Sequence, residues 1–362
     1  MKENWIDRTK AVRRGEELDA ARLEAYMAGR ITGLGSPLVI EQFPSGHSNL
    51  TYLIRAGEQE MVLRRPPFGA HKIKSGHNMN REFQILSGIY PLYKKVPKPL
   101  LYCDDESVLG APFYIMERAK GVILRIVPPE GMELSEEAMR RLSEVFTDTL
   151  VEIHAVDYHS AGLDDLGRPE GYVERQIKGW TERYINARTD DIPDMERAAR
   201  WLAENMPAQS GVSLIHNDFK YDNLVLDPGD LSRIIAILDW EMATIGDPLM
   251  DLGTSLGYWV DPDDPDEMQM IKQCLTTLPG NLSRSQIVAR YAEKSGRDVS
   301  HMLFHYVYAL FKIAIIIQQI YYRYAKGFTK DERFANLIIG VHILSKTAAL
   351  AIEKGRIDRL SV

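Results

Sequence analysis

Along the first part of the chain, apolar positions come in short runs broken by turn residues; further on they recur at helical spacing. "LDAARLEAYMAGRI" reads as an amphipathic helix, because apolar residues three and four apart share one side of a helix. Three β-type runs follow: "PLVIEQF", "NLTYLIRA" and "EMVLRRP". The first two are joined by "PSGHSN", a turn of small and polar residues that predicts a hairpin. "HNMNREFQILSGIY" returns to helical spacing, with Phe83, Leu86 and Tyr90 on or near one face. "PLLYCDDESVLGAPFYIMER" supplies two more strands around a polar turn. From "LSEEAMRRLSEVFTDTLVEIHAVD" onward the pattern is mainly helical, and Ser135 followed by Glu136 and Glu137 predicts a helix start. The change of pattern lies near Glu117 to Gly121. It predicts an α+β fold, with a small lobe of antiparallel strands over residues 1–118 and a larger, mainly helical lobe over 119–362.

At 362 residues, 45% of them hydrophobic, the chain can bury a core sufficient for two lobes. Its formal net charge of −7 argues against nucleic acid as the main partner, for which a basic patch is expected. Two cysteines, Cys103 and Cys274, offer neither a disulfide framework nor a zinc spacing. The amino terminus, "MKENWIDRTK", is charged where a signal peptide needs an apolar core. "MLFHYVYALFKIAIIIQQIYYRY" approaches the roughly 20 apolar residues of a membrane span. Lys312, Gln318 and Gln319 interrupt it, so a core helix of the larger lobe is expected instead. These features point to a cytoplasmic protein without a membrane partner.

Candidate chemistry concentrates in "LIHNDFKYDNLVLDPGDLSRIIAILDWE", where ionisable residues sit between two strand-like runs. "NLVLD" and "RIIAILDW" flank the turn "PGD", which predicts a hairpin. Antiparallel pairing would bring Asn223, at the start of one strand, beside Asp239, at the end of the other. An amide oxygen and a carboxylate there suit Mg²⁺, a hard cation that completes its shell with water and phosphate. Asp218 lies in the loop just before Asn223, where it can face the same space and orient a hydroxyl. One acid and two metal ligands are what phosphoryl transfer needs, because its catalysis is mostly positioning and charge neutralisation.

The motif His216-x-Asp218-x-x-x-x-Asn223 resembles the catalytic loop of the protein-kinase-like fold, and Leu238-Asp239-Trp240-Glu241 resembles its metal-binding motif. With "IGDPLMDLG" shortly after, the chain is similar to the aminoglycoside phosphotransferase family, and more narrowly to the kinase-like domain fused to acyl-CoA dehydrogenases. The resemblance covers nearly the whole chain and implies a two-lobed fold with ATP in the cleft. It implies that Asp218 is the catalytic base and that Asn223 and Asp239 hold Mg²⁺ on the ATP phosphates. The turn containing Ser45, Gly46, His47, Ser48 and Asn49 takes the place of the nucleotide-covering loop, with one glycine where several are usual. "MVLR" matches the strand that normally ends in lysine, so Arg64 becomes the α/β-phosphate contact; a planar guanidinium is not equivalent to an ammonium. Arg65 is turned to the other face by strand alternation. Glu82 would pair with Arg64, and backbone groups of Glu117 and Ala119 would meet adenine.

Other polar residues are expected to serve the fold. His216 braces the loop, Asp247 and Asp251 hold backbone amides around the metal loop, and His154 and Asp157 cap or pack a helix end. "DPDDPDE" from Asp261 reads as a solvated loop, or alternatively as a patch attracting a cationic substrate. A protein kinase fits less well, because Asn217 stands where arginine is usual and eleven residues separate Asp239 from Asp251, too few for a peptide-docking segment. A small-molecule hydroxyl is the expected acceptor, on a hydroxyacyl-CoA-like metabolite or an aminoglycoside-like alcohol. The alternative of another class is a non-catalytic nucleotide-binding scaffold, favoured by the single glycine and Arg64, and opposed by retention of Asp218, Asn223 and Asp239.

Overall fold

The computed structural model describes residues 2–44, 49–68 and 78–361. The first amphipathic run forms helix α1 (Ala20–Met27), whose start is capped by the Asp19 side chain accepting from the Arg22 N–H. Strands β1 (Leu38–Gln42), β2 (Leu50–Ala56) and β3 (Gln59–Arg65) pair antiparallel. Ala56 pairs with Gln59 across a two-residue turn, where Gly57 at φ 62 supplies the positive φ such a tight hairpin requires. Helix α2 (Met79–Ile89) follows, capped by Asn78, and then strand β4 (Pro99–Cys103). Where the sequence suggests only a polar turn, a short helix α3 (Glu106–Leu109) forms: Asp105 caps it and Gly110 at φ 79 ends it. Strand β5 (Phe113–Glu117) completes a five-stranded sheet of order β1-β2-β3-β5-β4. Alternation along these strands gathers Tyr52, Ile54, Met61, Leu63, Phe113 and Ile115 into one cluster with Leu23 and Met27 of α1. Arg64 and Arg65, being consecutive in β3, leave the sheet on opposite faces.

The rest of the chain is mainly helical, as the spacing predicts. Helices α4 (Glu136–His154), α5 (Tyr172–Ala187) and α6 (Pro193–Glu204) lead to a three-residue strand β6 (Ser213–Ile215). The expected hairpin forms from β7 (Leu224–Asp227) and β8 (Asp230–Ile237), with Asn223 in a 3-10 turn just ahead of it. Strand β9 (Thr244–Gly246) pairs with β6. Helices α7 (Pro248–Tyr258), α8 (Asp266–Met270), α9 (Arg284–Ser295), α10 (Met302–Ala325) and α11 (Leu337–Lys354) complete the order. Two stretches, Met302–Ala325 and Glu332–Lys354, are long and apolar enough to cross a membrane by length and composition, but the most apolar window of α10 is 72% buried inside the protein.

The chain divides into two compact units that interleave in sequence. One comprises Met1–Ile123, Asp157–Leu163 and Asn223–Met242; the other comprises Leu124–Val156, Asp164–Asp222 and Ala243–Val362. The single boundary at 118/119 anticipated from the pattern is therefore too simple. The reason is local: Val122 and Leu226 exchange backbone hydrogen bonds at 2.8 Å, and Ile123 packs with Val225 and Ala236. These contacts attach the β7–β8 hairpin to the strand-rich unit. In the helical unit, α10 packs against α5, α6, α7 and α11.

Candidate active site

In the strand-rich unit the polar centre is built around Arg64. Strand alternation turns it to the face of α2, where it pairs with Glu82. Its other amino group reaches Asp239 Oδ1 at 3.1 Å and Glu241 at 3.5 Å. Burial disfavours the guanidinium charge, but Glu82, Tyr114, Asp239 and Glu241 together hold its pKa well above the ordinary value. Burial raises the Glu82 carboxyl, which the Arg64 charge opposes and the Asp239 charge reinforces; the Tyr114 hydroxyl and the Trp240 backbone also bear on it. Asn49 donates to Glu241 Oε2 at 2.7 Å, and Arg81 donates to the Glu241 carbonyl at 3.2 Å.

The hairpin positions the two expected metal ligands. Leu224 pairs with Ile237, and the Leu238 N–H donates to the Asn223 carbonyl at 2.8 Å. Asn223 and Asp239 thus leave neighbouring chain segments at one end of the ribbon. Asp239 adopts φ 67, a left-handed conformation that Asp tolerates better than most side chains. The turn of backbone there redirects its carboxylate toward Arg64. Trp240 directly after it is fully buried and donates to the Ile237 carbonyl at 2.9 Å, which locks the bend.

In the helical unit the centre is the loop after β6. Its alternation is simple: Phe219 and Tyr221 point inward and Asp218 and Lys220 do not. Phe219 stacks on Phe146 at 4.5 Å, while Tyr221 meets both Phe146 and Trp259 edge-on. Lys220 Nζ lies 3.3 Å from Asp218 Oδ2 and 4.8 Å from the Tyr258 ring centre. Burial opposes the Lys220 charge, but Asp218 and Asp222 raise its pKa above the ordinary lysine range. The Tyr258 hydroxyl is raised by burial and by its hydrogen bond to Asp218. Behind the loop, buried Asp251 accepts the His216 N–H at 2.7 Å, the Asn217 N–H at 2.6 Å and His154 Nε2 at 3.1 Å. Burial would raise that carboxyl, but His154 and His216 hold it below the usual carboxylate range.

The other expected residues have varied surroundings. Ser45, Gly46, His47 and Ser48 lie outside the described residues; Asn49 is bonded to Glu241. The Glu117 N–H is taken by the Lys98 carbonyl at 2.8 Å and its carboxylate by Lys98 Nζ at 3.0 Å, while Ala119 packs beside Ile123 and Val225. Asp247 and Asp251 hold backbone amides, Asp247 at Ser210 and Leu249 and Asp251 at His216 and Asn217. The acidic run is not simply solvated: Asp264 makes a two-point pair with buried Arg284, and Asp261 accepts the Arg284 N–H at 3.2 Å. Lys220, Glu241 and Tyr258 were not foreseen. The first two have a readable signal, each a charged residue two positions after a motif acid; Tyr258 has none, because α7 brings it back from forty positions downstream of Asp218.

Comparison with known proteins places the chain in a family. Residues 39–280 match the sequence profile of the phosphotransferase enzyme family. Acyl-CoA dehydrogenase family member 11 of Rattus norvegicus is 36% identical over 326 residues, spanning 87% of this chain but 41% of that protein. A candidate aminoglycoside phosphotransferase from Ralstonia eutropha superposes with a TM-score of 0.79 at 28% identity, covering 93% of this chain and 99% of that one. Spectinomycin phosphotransferase, solved with ADP and spectinomycin, shares the fold at 12% identity and a TM-score of 0.57, covering 93% and 99% of the two chains. With its profile match extending from the first strand of the sheet to beyond α8, the chain belongs to the phosphotransferase enzyme family and has the protein-kinase-like α+β fold.

Proposed function

We propose that the chain transfers the γ-phosphoryl group of ATP, in a Mg²⁺-dependent reaction, to a hydroxyl of a small metabolite that carries an apolar chain. The observation that carries this reading is the Arg64 guanidinium fixed between buried Glu82 and Asp239. A cation held rigid by a buried acid, with a second acid beside it, is the arrangement that receives polyphosphate and a divalent ion together. ADP in the spectinomycin phosphotransferase complex supports an adenine nucleotide. Among the described residues no three or more His, Cys, Asp or Glu side chains gather as a metal site. A divalent ion held by Asn223 and Asp239 would keep its other ligands from water and phosphate, which suits Mg²⁺. When bound, that ion supplies charge neutralisation and alignment of the phosphates.

The chain's own groups do the rest. Asp218 accepts the hydroxyl proton as the new oxygen–phosphorus bond forms and the bond to the β-phosphate bridging oxygen breaks. Lys220 balances the Asp218 charge and offers an ammonium to a phosphate oxygen. The acceptor's apolar part fits the helical unit, where a cavity of about 300 Å³ is bounded by Val260, Met268, Ile313, Leu337 and Leu344. Tyr258 belongs to that wall and bonds to Asp218. Three of the five acids in the run that could have attracted a polycationic substrate are engaged: Asp261 and Asp264 by Arg284, and Glu267 by Lys346 at 2.7 Å. This favours a hydroxyacyl-type alcohol over an aminoglycoside.

The test combines melting with transfer. A ligand binding only the folded state adds about 2.7 kcal/mol of stability at 100 times its Kd, so MgATP should raise the melting temperature. Asp239→Ala should remove most of that gain. Asp218→Asn should keep it while lowering phosphate mass gain on hydroxyacyl-CoA acceptors by about 100-fold or more. A protein that binds MgATP and phosphorylates no alcohol would be a scaffold, and the catalytic reading would fail.

A further inference from the structure

Asp218 hangs from a peptide that is held at both ends. Asn217, before it, stands at φ 66, a left-handed conformation that costs a non-glycine residue free energy. The Asn217 N–H is fixed by Asp251. The next peptide plane joins Asn217 to Asp218, and planarity makes its carbonyl oxygen and the Asp218 nitrogen one rigid body. At one side of that plane the Asp218 N–H approaches His216 Nδ1 at 3.3 Å. At the other, the Asn217 carbonyl receives Lys312 Nζ at 3.2 Å, and the same ammonium reaches Asn217 Oδ1 at 3.4 Å.

Lys312 is an expensive way to make those contacts. It lies in the middle of α10 between Phe311 and Ile313 and is 3% exposed. A buried ammonium costs several kcal/mol unless it is compensated, and an aliphatic residue would suit the helix better. Burial lowers its pKa to about 8, while Asp251 and Asp218 pull the other way, so it is mostly charged at neutral pH. Its electrostatic partners are the carboxylate that pins the loop and the carboxylate that the loop presents.

We propose that Lys312 is a positioning residue for Asp218: its ammonium, anchored in α10, holds the Asn217 carbonyl and thereby fixes the peptide plane from which Asp218 projects. This rests on Asp218 being the base of the transfer reaction. Without the ammonium, that plane can rotate and the carboxylate leaves the line of the acceptor hydroxyl. A misplacement of about 1 Å costs roughly 100-fold in rate. Nucleotide contacts in the strand-rich unit do not pass through Lys312, so ATP affinity should stay.

The experiment is steady-state transfer by Lys312→Met, with turnover expressed per ATP-binding site counted on the same preparation. The expected result is a fall in kcat of about 100-fold with the KM for ATP essentially unchanged. A merely structural role would reduce the number of binding sites and leave turnover per site intact. Lys312→Gln, which keeps a donor but not the charge, should fall between the two. Wild-type turnover per site in either variant overturns the assignment and leaves phosphoryl transfer standing. A wild-type protein that binds MgATP but transfers no phosphate removes the reading beneath it, and the assignment with it. If neither variant folds, Lys312 belongs to the fold alone and the assignment is again overturned.

Discussion

Arg64 shows how one side chain decides between stability and function. Its fork serves two masters, Glu82 with one amino group and Asp239 with the other. Glu82 is 2% exposed and cannot easily recruit water if its partner goes. Breaking a buried pair from one side costs about 3–5 kcal/mol, whereas replacing both members with apolar groups can be neutral. Arg64→Met should therefore lower unfolding free energy by about 3–5 kcal/mol in urea melts, and adding Glu82→Leu should restore most of the loss. If the single variant is as stable as the parent, the pair behaves like a surface contact and its burial has been misjudged. Lysine would not be equivalent, because an ammonium lacks the planar fork that meets Glu82 and Asp239 with separate amino groups. Arginine at this position was readable in the sequence, and so was its partner in α2. Glu241 had a signal in its place two positions after Asp239, but its direction did not, since only the bend after Asp239 aims that carboxylate back at the sheet.

At the scale of elements, the helical unit is assembled by close approach. Gly253 and Gly257 sit one turn apart on α7 and face α10. A Cβ at Gly253 would stand 2.5 Å from the His305 carbonyl oxygen, which belongs to the α10 backbone and cannot swing aside. Gly253→Ala should thus destabilise by about 1–3 kcal/mol, overriding the gain of up to about 1 kcal/mol that alanine brings to a helix. Gly340→Ala in α11 is the matched control: its nearest neighbour would be the flexible Ile317 Cδ1 at 3.6 Å, so propensity should win and stability should rise. Thermal melts of the two variants that shift in the same direction would refute this account of the α7–α10 contact. Periodicity and caps made most helices legible beforehand, α4 with its Ser135 cap among them, and the turn "PGD" did the same for the β7–β8 hairpin. The β6–β9 pair was hidden, because three-residue strands far apart in sequence have no period to read. Lys312 was visible only as an interruption in an apolar run, and its partner Asn217 is brought to it by tertiary packing.

For the molecule as a whole, composition shows a net charge of −7 but not which charges are buried, and the buried ones govern response to pH. His305 in α10 is 1% exposed, with Met250 Sδ 3.4 Å from its Nδ1. Burial lowers its pKa from 6.5 to about 4, with Asp247 opposing and His301 assisting. The folded state then stays neutral where the unfolded chain takes up a proton, so its contribution is full above about pH 6.5 and is lost as pH falls toward 4. Asp261 has the opposite sign. Burial raises it from 3.8 to about 6, against the pull of Arg284, so its contribution is full below about pH 4 and is lost as pH rises through 6. Each difference of two units is worth on the order of 3 kcal/mol at full extent, so between pH 5 and 7 the two largely offset one another. Removing one should expose the other. Relative to the parent, His305→Met should gain on the order of 2 kcal/mol in stability on going from pH 7 to pH 5, and Asp261→Asn should lose on the order of 1 kcal/mol over the same interval. Urea melts of the parent and both variants at the two pH values measure this directly. Parallel shifts in the two variants would mean that these groups do not titrate with the fold, and that the acid stability of the chain is set by its exposed carboxylates instead.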